Sequence, residues 1–582
     1  MGSLTIGWTY LTGYAIATDP ASRDRVEWPP HPARIFMALA AAWFETRPPA
    51  GDADGIAEWE AEGDALRWLE SKPDPDLIVP EVDATAVRSE VTVYVPVNDR
   101  AGPSSATIQS APGITRSKQP RSFPKVWVGD ATAMLHWPRL NDVEVHHGSL
   151  DRLCRKVTRI GHSSALVAMR TVGDFDRSGA LHLVPDADAL ARYQLRPVTK
   201  GMLSMLTERF GGEVRAAADE LDARIAAKKQ ERKTVAGKNK RERGAEIDAE
   251  ITGLMSERAL IVPRPPVRPA IGVWTAYRLA EKEPPPDAAR THFDHDLLVL
   301  TNVAGRSLPV SASLAITRAL RNVILRDAPQ PPPDWVSGHA SDGGPLLADE
   351  GHLAIVPLPH VGHEHADGRL MGLGLIFPRS LDYRERGRVL GPVLVDKDGR
   401  PRNLELTLGR LGTWTIRKRD WQETRRALDP GTWSAFVDVA KQGARTWASV
   451  TPVVLDKYPK ADRSKPAERQ AWEEEVEAII RVACGRIDLP DPEIVDFGTT
   501  CWHIGSPRAV GKRRHVRGGS DRADAPLGDG FPSYPRRGES GSRPQVHVWL
   551  RFSQPVVGPV LLGSGRYFGY GLCKPLENHR RV

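Results

Sequence analysis

Cysteine is scarce in this 582-residue chain: Cys154, Cys484, Cys501 and Cys573 stand far apart, and no CxxC pair occurs. That spacing excludes a disulfide framework and the paired thiolates of a structural zinc site, and a reducing, cytoplasmic setting is the simplest reading. Long apolar runs are missing too. No stretch approaches the roughly 20 uninterrupted apolar residues needed to span a bilayer, so no membrane partner is expected. The opening MGSLTIGWTY has no basic region followed by an apolar core, so no secretory signal is expected there. Neither sign of charge dominates: 80 Lys and Arg stand against 73 Asp and Glu, a net charge of +7. A modest excess of this kind favours polyanionic partners without requiring one. The length is too great for one core and implies two to four domains.

What is present is a recurrent order of elements. LTIGWTYLTGYAIAT alternates like a strand, and EWPPHPARIFMALAAAWFE follows, with Ile35, Phe36, Leu39, Ala42 and Trp43 at helical spacing behind three prolines. EVTVYVPV and KVWVGDATAMLHW read as two strands joined by a polar arm over residues 99–120. That arm brings Arg116, Lys118, Arg121 and Lys125 together, cations suited to phosphates, although a solvated loop would look the same. A second beginning of this kind is DLLVLTN with the helix SLPVSASLAITRALRNVILRD, then HLAIVPLP and GRLMGLGLIFP as a hairpin. A third runs from WASVTPVVL through the helix PAERQAWEEEVEAIIRVA to EIVDFG and HVWLRFSQP. Strand, helix, two strands, a further element and a strand make the βαββαβ ferredoxin-like (RRM-like) plan. The expected fold class is therefore α+β, with several such units in tandem and basic insertions between them. Open sheets of this type commonly hold single-stranded RNA on one face.

Two regions break that order. Residues 213–260 read as a pair of exposed helices or an arm, with nine Lys and Arg against two acids between Arg224 and Arg243. A charge run is ordinarily a solvated face. The proline-rich VPRPPVRP (262–269) is the natural boundary, dividing the chain into 1–262 and 270–582. Further on, SPRAVGKRRHVRGG gathers Lys512, Arg513, Arg514 and Arg517, with Arg536 and Arg537 beyond, in a stretch that could grip RNA or simply remain solvated.

The end of the chain is the most distinctive part. LLGSGRYFGYGLCKP interleaves Gly563, Gly565, Gly569 and Gly571 with Arg566, Tyr567, Phe568 and Tyr570. Only eleven residues follow Gly571, too few for the βαβ unit that a dinucleotide fingerprint opens. A loop before the last strand of a βαββαβ unit could bring bare amides against phosphates, with Arg566 adding charge and Tyr567 a stacking surface.

GPVLLGSGRYFGYGLCKP resembles the glycine-rich loop of the CRISPR repeat-processing endoribonucleases, in the repeat-associated RNA-binding superfamily. TGYAIAT…VEWPPHPARIFMALAAAW is similar to the start of the type I-G (formerly I-U) effector subunit, a fusion of a crRNA 5′-handle-binding subunit with a repeat endoribonuclease. RIGHSSALV, VSGHASDG and PLPHVGHEHADGRLMGLGL resemble that family as well. The resemblance implies metal-independent cleavage of precursor crRNA by 2′-hydroxyl attack, leaving a 2′,3′-cyclic phosphate, with no cofactor. It also implies membership of a type I effector (Cascade) complex in antiviral defence. Its partners would be the crRNA, the backbone and large subunits and, through the complex, target DNA. Residues 1–262 would hold the handle and 270–582 would cut the repeat. The family's catalytic histidine commonly follows the first helix of its first ferredoxin-like unit. The matching residue is His339, thirteen positions after Arg326, with His363 and His365 as competitors.

Two rival readings stay open. His363, His365 and Asp367 spell H-x-H-x-D, a spacing that metallo-β-lactamase-fold hydrolases use for two zinc ions. That motif ordinarily continues with histidine, and here Gly368 follows. The other rival is an RNA-binding scaffold that cuts nothing.

Overall fold

The fold comes from a computed structural model that describes residues 2–19, 25–49, 51–82, 87–96, 118–175, 180–186, 190, 193–210, 212–235, 240–261, 273–280, 288–339, 344, 351–396, 401–419, 423, 425–436, 443–511, 530–535 and 542–576. Helices and mostly antiparallel sheets alternate along the chain, an α+β fold. None of the described helices is long and apolar enough to cross a membrane. The chain divides into two compact units: Met1–Pro185 with Leu195–Thr275, and Asp186–Gln194 with Ala276–Val582.

In the first unit, strand Gly2–Tyr10 is followed by the helix Pro32–Glu45, whose apolar stripe of Ile35, Phe36, Leu39 and Trp43 is buried. Strands Asp76–Pro80 and Thr132–Leu140, helix Val143–Lys156 and strand Val167–Thr171 complete the succession. In the sheet the order is Val167–Thr171, Gly2–Tyr10, Thr132–Leu140, Asp76–Pro80, all antiparallel: fourth, first, third, second. Glu27 is buried beside that first helix. Arg34 grips both its carboxylate oxygens at 2.5 and 2.6 Å, and Arg196 approaches at 3.4 Å. The arm appears as strands Val87–Pro96 and Lys118–Trp127, with Arg121 opposite Val93. The basic insert is a pair of helices, Gly212–Thr234 and Lys240–Leu260.

The second unit repeats the succession twice. Its first half comprises β1 (Leu298–Gly305), α1 (Ser313–Asp327), β2 (Ala354–Pro359), β3 (Leu370–Ile376), α2 (Tyr383–Leu394), β4 (Leu404–Thr407) and β5 (Thr413–Lys418). These strands stand in the order β2-β3-β1-β5-β4, all antiparallel. The second half comprises β6 (Ala444–Ser449), α3 (Arg469–Gly485), β7 (Ile494–Gly498), β8 (Gln545–Val557) and β9 (Cys573–Pro575), ordered β7-β8-β6-β9.

The two halves share a core. Successive side chains of a strand point to opposite faces. Accordingly Ile355, Leu373 and Leu375 pack against Ile316, Leu320 and Val389 of the helices. Val356 and Leu358, together with Met371, which a bulge opposite Leu358 and Pro359 turns out of the alternation, instead pack against Trp447, Val548 and Leu550 of the other half. Each fully buried Leu, Ile or Val so placed contributes about 1.5–3 kcal/mol. Every residue of β2 and β3 is buried, so these two strands offer no open face, whereas β4 and β5 keep the alternation expected of one, with Glu405, Thr407 and Arg417 exposed. In the second half Trp549 is half-buried and Arg551 exposed on the side away from that core.

Candidate nucleic-acid interface

Between β8 and β9, residues 558–572 contain one 3₁₀ turn, Arg566–Phe568, where the first half has helix α2. The glycines of this loop were expected to expose amides to phosphates. Instead they are buried, and most of the neighbouring amides are bonded within the chain. Gly571 N–H donates to the Pro452 carbonyl (2.9 Å), Tyr570 N–H to Gly565 (3.2 Å), Ser564 N–H to Val454 (2.9 Å) and Leu572 N–H to the Thr451 hydroxyl (2.9 Å). Gly571 is required twice over. Its φ is +71°, and a Cβ there would overlap the Leu562 carbonyl oxygen. Gly563 abuts the Val454 carbonyl, Gly565 the Tyr570 Cβ at 2.7 Å, and Gly569 packs on Thr317 Cγ2 at 2.9 Å. The glycines let the loop pass through the core between the two halves.

That packing carries three side chains to one place. The Phe568 carbonyl accepts from the Thr317 hydroxyl of α1 (3.0 Å), which pins the turn. Arg321, one turn further along α1, lies 5.4 Å from the Phe568 ring centre and donates to the Ser337 carbonyl. Arg566 is buried, donates to the Gly563 carbonyl (3.1 Å) and lies over the Tyr567 ring at 4.7 Å. Among the described residues its Nε has no hydrogen-bond partner.

The other face of Tyr567 belongs to His352, stacked at 3.6 Å between ring centres. Gly338 closes the arrangement. It caps the short helix Asp334–Ser337 at φ +69°, and a Cβ there would come within 3.1 Å of the His352 ring. The next residue is His339, exposed, its amide bonded to the Ser337 hydroxyl at 3.2 Å. Burial pushes the His352 pKa down to about 3, with Arg321, Arg566 and His339 adding to the effect against the Leu353 carbonyl. The ring is therefore neutral at neutral pH. Its Nδ1 lies 3.2 Å from the Leu353 carbonyl, which puts the proton on Nδ1 and leaves the Nε2 lone pair as an acceptor.

His363 and His365 are elsewhere. They occupy the β2–β3 turn, while His352 precedes β2, so a strand of six residues, about 17 Å, separates the two groups. In that turn the His363 ring lies 5.5 Å from His365 and 6.2 Å from His360. Asp367 pairs with His360 at 3.2 Å and with Arg369 at 3.5 Å, and His365 with Glu364 at 3.2 Å. Among the described residues no group of three or more His, Cys, Asp or Glu side chains could hold a metal ion, the H-x-H-x-D stretch included. The turn docks on the segment around His503 through Gly362 N–H to the Ile504 carbonyl (2.9 Å), and on β9 through Lys574, which donates to the Val361 carbonyl (2.8 Å). His503 is a core residue bonded to the Ala448 carbonyl (3.1 Å); burial, and then Lys574, lower its pKa to about 4.

Arg116, Lys512, Arg513, Arg514 and Arg517 lie outside the described residues. Two members of the constellation were not legible beforehand: His352, which sits at a strand edge in the sequence, and Arg321, which is off the apolar stripe of its helix. An arginine or histidine beside a strand or helix carries no signal of what it stacks on.

The arrangement combines a neutral imidazole, an exposed histidine, two guanidinium groups and two aromatic faces. No curated protein matches this chain. The family described as "CRISPR-associated protein, GSU0054 family" matches residues 10–243 and 239–575. Matched over nearly its whole length, the chain belongs to the GSU0054 family of CRISPR-associated proteins.

Proposed function

We propose that this chain processes and holds CRISPR RNA. In this reading the first unit is a ferredoxin-like handle-binding domain and the second a pair of ferredoxin-like units that cut the repeat, within a type I-G effector complex. The observation that carries the reading is the constellation around Tyr567: His352 stacked at 3.6 Å, Arg321 and Arg566 against the adjacent rings, and His339 at the mouth. Such groups suit transesterification. A base removes the 2′-hydroxyl proton, the 2′-oxygen bonds to phosphorus, the bond to the 5′-oxygen breaks, and an acid returns a proton to that oxygen. His339 is the exposed acid–base group, the half-buried Arg321 guanidinium stabilises charge on the phosphoryl oxygens and Phe568 stacks on bases, while Tyr567, clasped between Arg566 and His352, holds the turn in place rather than stacking on a base. The reaction needs no metal.

The glycines support this chemistry by placing the 566–568 turn rather than by cradling phosphates. The internal bonding of the loop's amides also favours a second reading, a scaffold that binds RNA without cutting it. Incubating the purified chain with repeat RNA in EDTA separates the readings. Cleavage to a 2′,3′-cyclic phosphate is expected, with no cleavage of a repeat carrying a 2′-deoxy residue before the cut site. Intact, shifted RNA would favour the scaffold, and cleavage lost only in EDTA would favour a metal-dependent enzyme.

A further inference from the structure

The paired helices Gly212–Thr234 and Lys240–Leu260 play no part in the site just described. The first spans about 34 Å at 1.5 Å per residue. Their mutual seam is thin: Ala218, Leu221, Ile225 and Ile247 are buried. Ion pairs bridge the helices, Lys228 to Glu250 at 2.7 Å, Arg232 to Asp248 at 3.0 Å, Arg243 to Glu231 at 3.1 Å and Arg258 to Asp222 at 3.0 Å.

Charge is sorted along the rod. Asp219, Glu220 and Asp222 lie toward the start of the first helix, whereas the far part of the pair, residues 224–250, holds nine cations against five acids (Glu231, Glu242, Glu246, Asp248 and Glu250), an excess of four. Arg224, Lys229, Lys233 and Arg241 are exposed, and none makes an ion pair among the described residues. Lys233 is about 16 Å along the axis from Asp222, roughly two screening lengths at physiological salt, so the acids of the base do not cancel the field of the tip. The exposed large apolar residues, Val214, Met255 and Leu260, lie away from the turn. The tip therefore offers charge without an apolar anchor. A protein partner ordinarily needs such an anchor at the centre of its interface; a nucleic-acid backbone does not.

We infer that the distal half of this helical pair is a contact site for a nucleic-acid phosphodiester backbone, separate from the repeat-cutting site, with Lys229, Lys233 and Arg241 each facing a phosphate; Arg224, nine residues before Lys233, lies on the opposite side of its helix. The test uses the full chain carrying Lys229→Gln, Lys233→Gln and Arg241→Gln together, since glutamine keeps helix propensity close to that of Lys and Arg. Fluorescence anisotropy between 50 and 200 mM salt would follow binding to a labelled duplex DNA and to a labelled single-stranded RNA. Each lost phosphate contact lowers the slope of log K against log salt by about 0.9 for duplex DNA or 0.7 for a single strand. A slope shallower by about 2–3, with affinity reduced at least tenfold, is expected for one of the two probes, which identifies the source of the backbone. Lys229→Arg with Arg241→Lys should retain the native slope, and so should Arg224→Gln alone. Unchanged slope and affinity for both probes would overturn the inference. A photo-reactive side chain at position 233 of the otherwise native chain gives an independent arm: cross-linking to neither probe at 50 mM salt would also overturn it, whatever the helicity of the glutamine variant.

Discussion

Replacing Gly571 by alanine distinguishes a packed loop from a phosphate cradle. Alanine at φ +71° costs roughly 1–2 kcal/mol of backbone strain. Its methyl group also meets the Leu562 carbonyl oxygen, and overpacking of this kind adds about 1–3 kcal/mol. The loss should total about 2–5 kcal/mol, which for a unit of this size lowers its melting temperature by about 5–10 °C. Gly409→Ala is the control, because Gly409 has φ +58° but no atom within 4 Å of where a Cβ would sit. It should cost only about 1 kcal/mol, strain partly offset by the lower entropy of the unfolded chain. Differential scanning calorimetry of both variants beside the parent reads the difference directly. Equal shifts in the two variants would refute the packing argument. If Gly571→Ala kept its melting temperature yet lost RNA affinity, the loop would be facing the ligand after all.

The other expectations concern acid, charge and catalysis. His503 and His547 are buried and neutral, each pushed down by burial to about 4, so the unfolded chain binds more protons between pH 6.5 and 4. Stability of the second unit should be full above pH 6.5 and fall below it, by up to roughly 3 kcal/mol per pH unit for the two groups, as urea midpoints measured from pH 7 to 5 would show. Burial raises the Glu27 pKa, but His31, Arg34 and Arg196 draw it down to about 2, so its contribution is present above the ordinary glutamate range and lost progressively as pH falls from there to about 2. Glu27→Gln, which strands Arg34, should cost about 3–5 kcal/mol in the first unit, measured by urea unfolding at pH 7. His339→Ala should slow single-turnover repeat cleavage by about 10²–10⁴-fold, while His363→Ala and His365→Ala stay near the native rate. A native rate for His339→Ala would move the acid–base role elsewhere.

Much of the fold was legible because alternation is a local property. β2 and β3 show as apolar runs, and the helices Pro32–Glu45, Ser313–Asp327 and Arg469–Gly485 carry apolar stripes at helical spacing. Helix α2 was not legible. It contains Gly387, Gly391 and Pro392, and its buried face includes Arg386, paired with Asp294 at 2.7 Å and lying over Phe377 and Tyr383. A cation serving as a core residue cannot be told from a surface one in sequence. The candidate site was half legible for a related reason. VSGHASDG marks a tight turn and an exposed imidazole, but the partner of its first glycine, Gly338, is the ring of His352, fourteen residues further along. Stacking across that distance leaves no periodic trace.

The absence of a helix between β8 and β9 connects these observations. In the first half of the unit, α2 covers one face of its sheet through Val389, Leu390, Val393 and Leu394. In the second half the corresponding segment is the glycine loop, which threads between the halves and buries Leu561, Leu562, Tyr570 and Leu572 in their shared core. A helix is about 10 Å across and would not fit where Gly563, Gly569 and Gly571 touch backbone or side chain without room for a Cβ. Exchanging the helix for a loop thus brings the 566–568 turn against α1 and against the residue preceding β2. The imidazole, guanidinium and aromatic groups of the site consequently come from both halves, and neither half alone holds the set. Separating the halves within the chain between β5 and β6 should therefore yield fragments without repeat cleavage even when each is folded by circular dichroism, and activity in either fragment alone would refute a shared site.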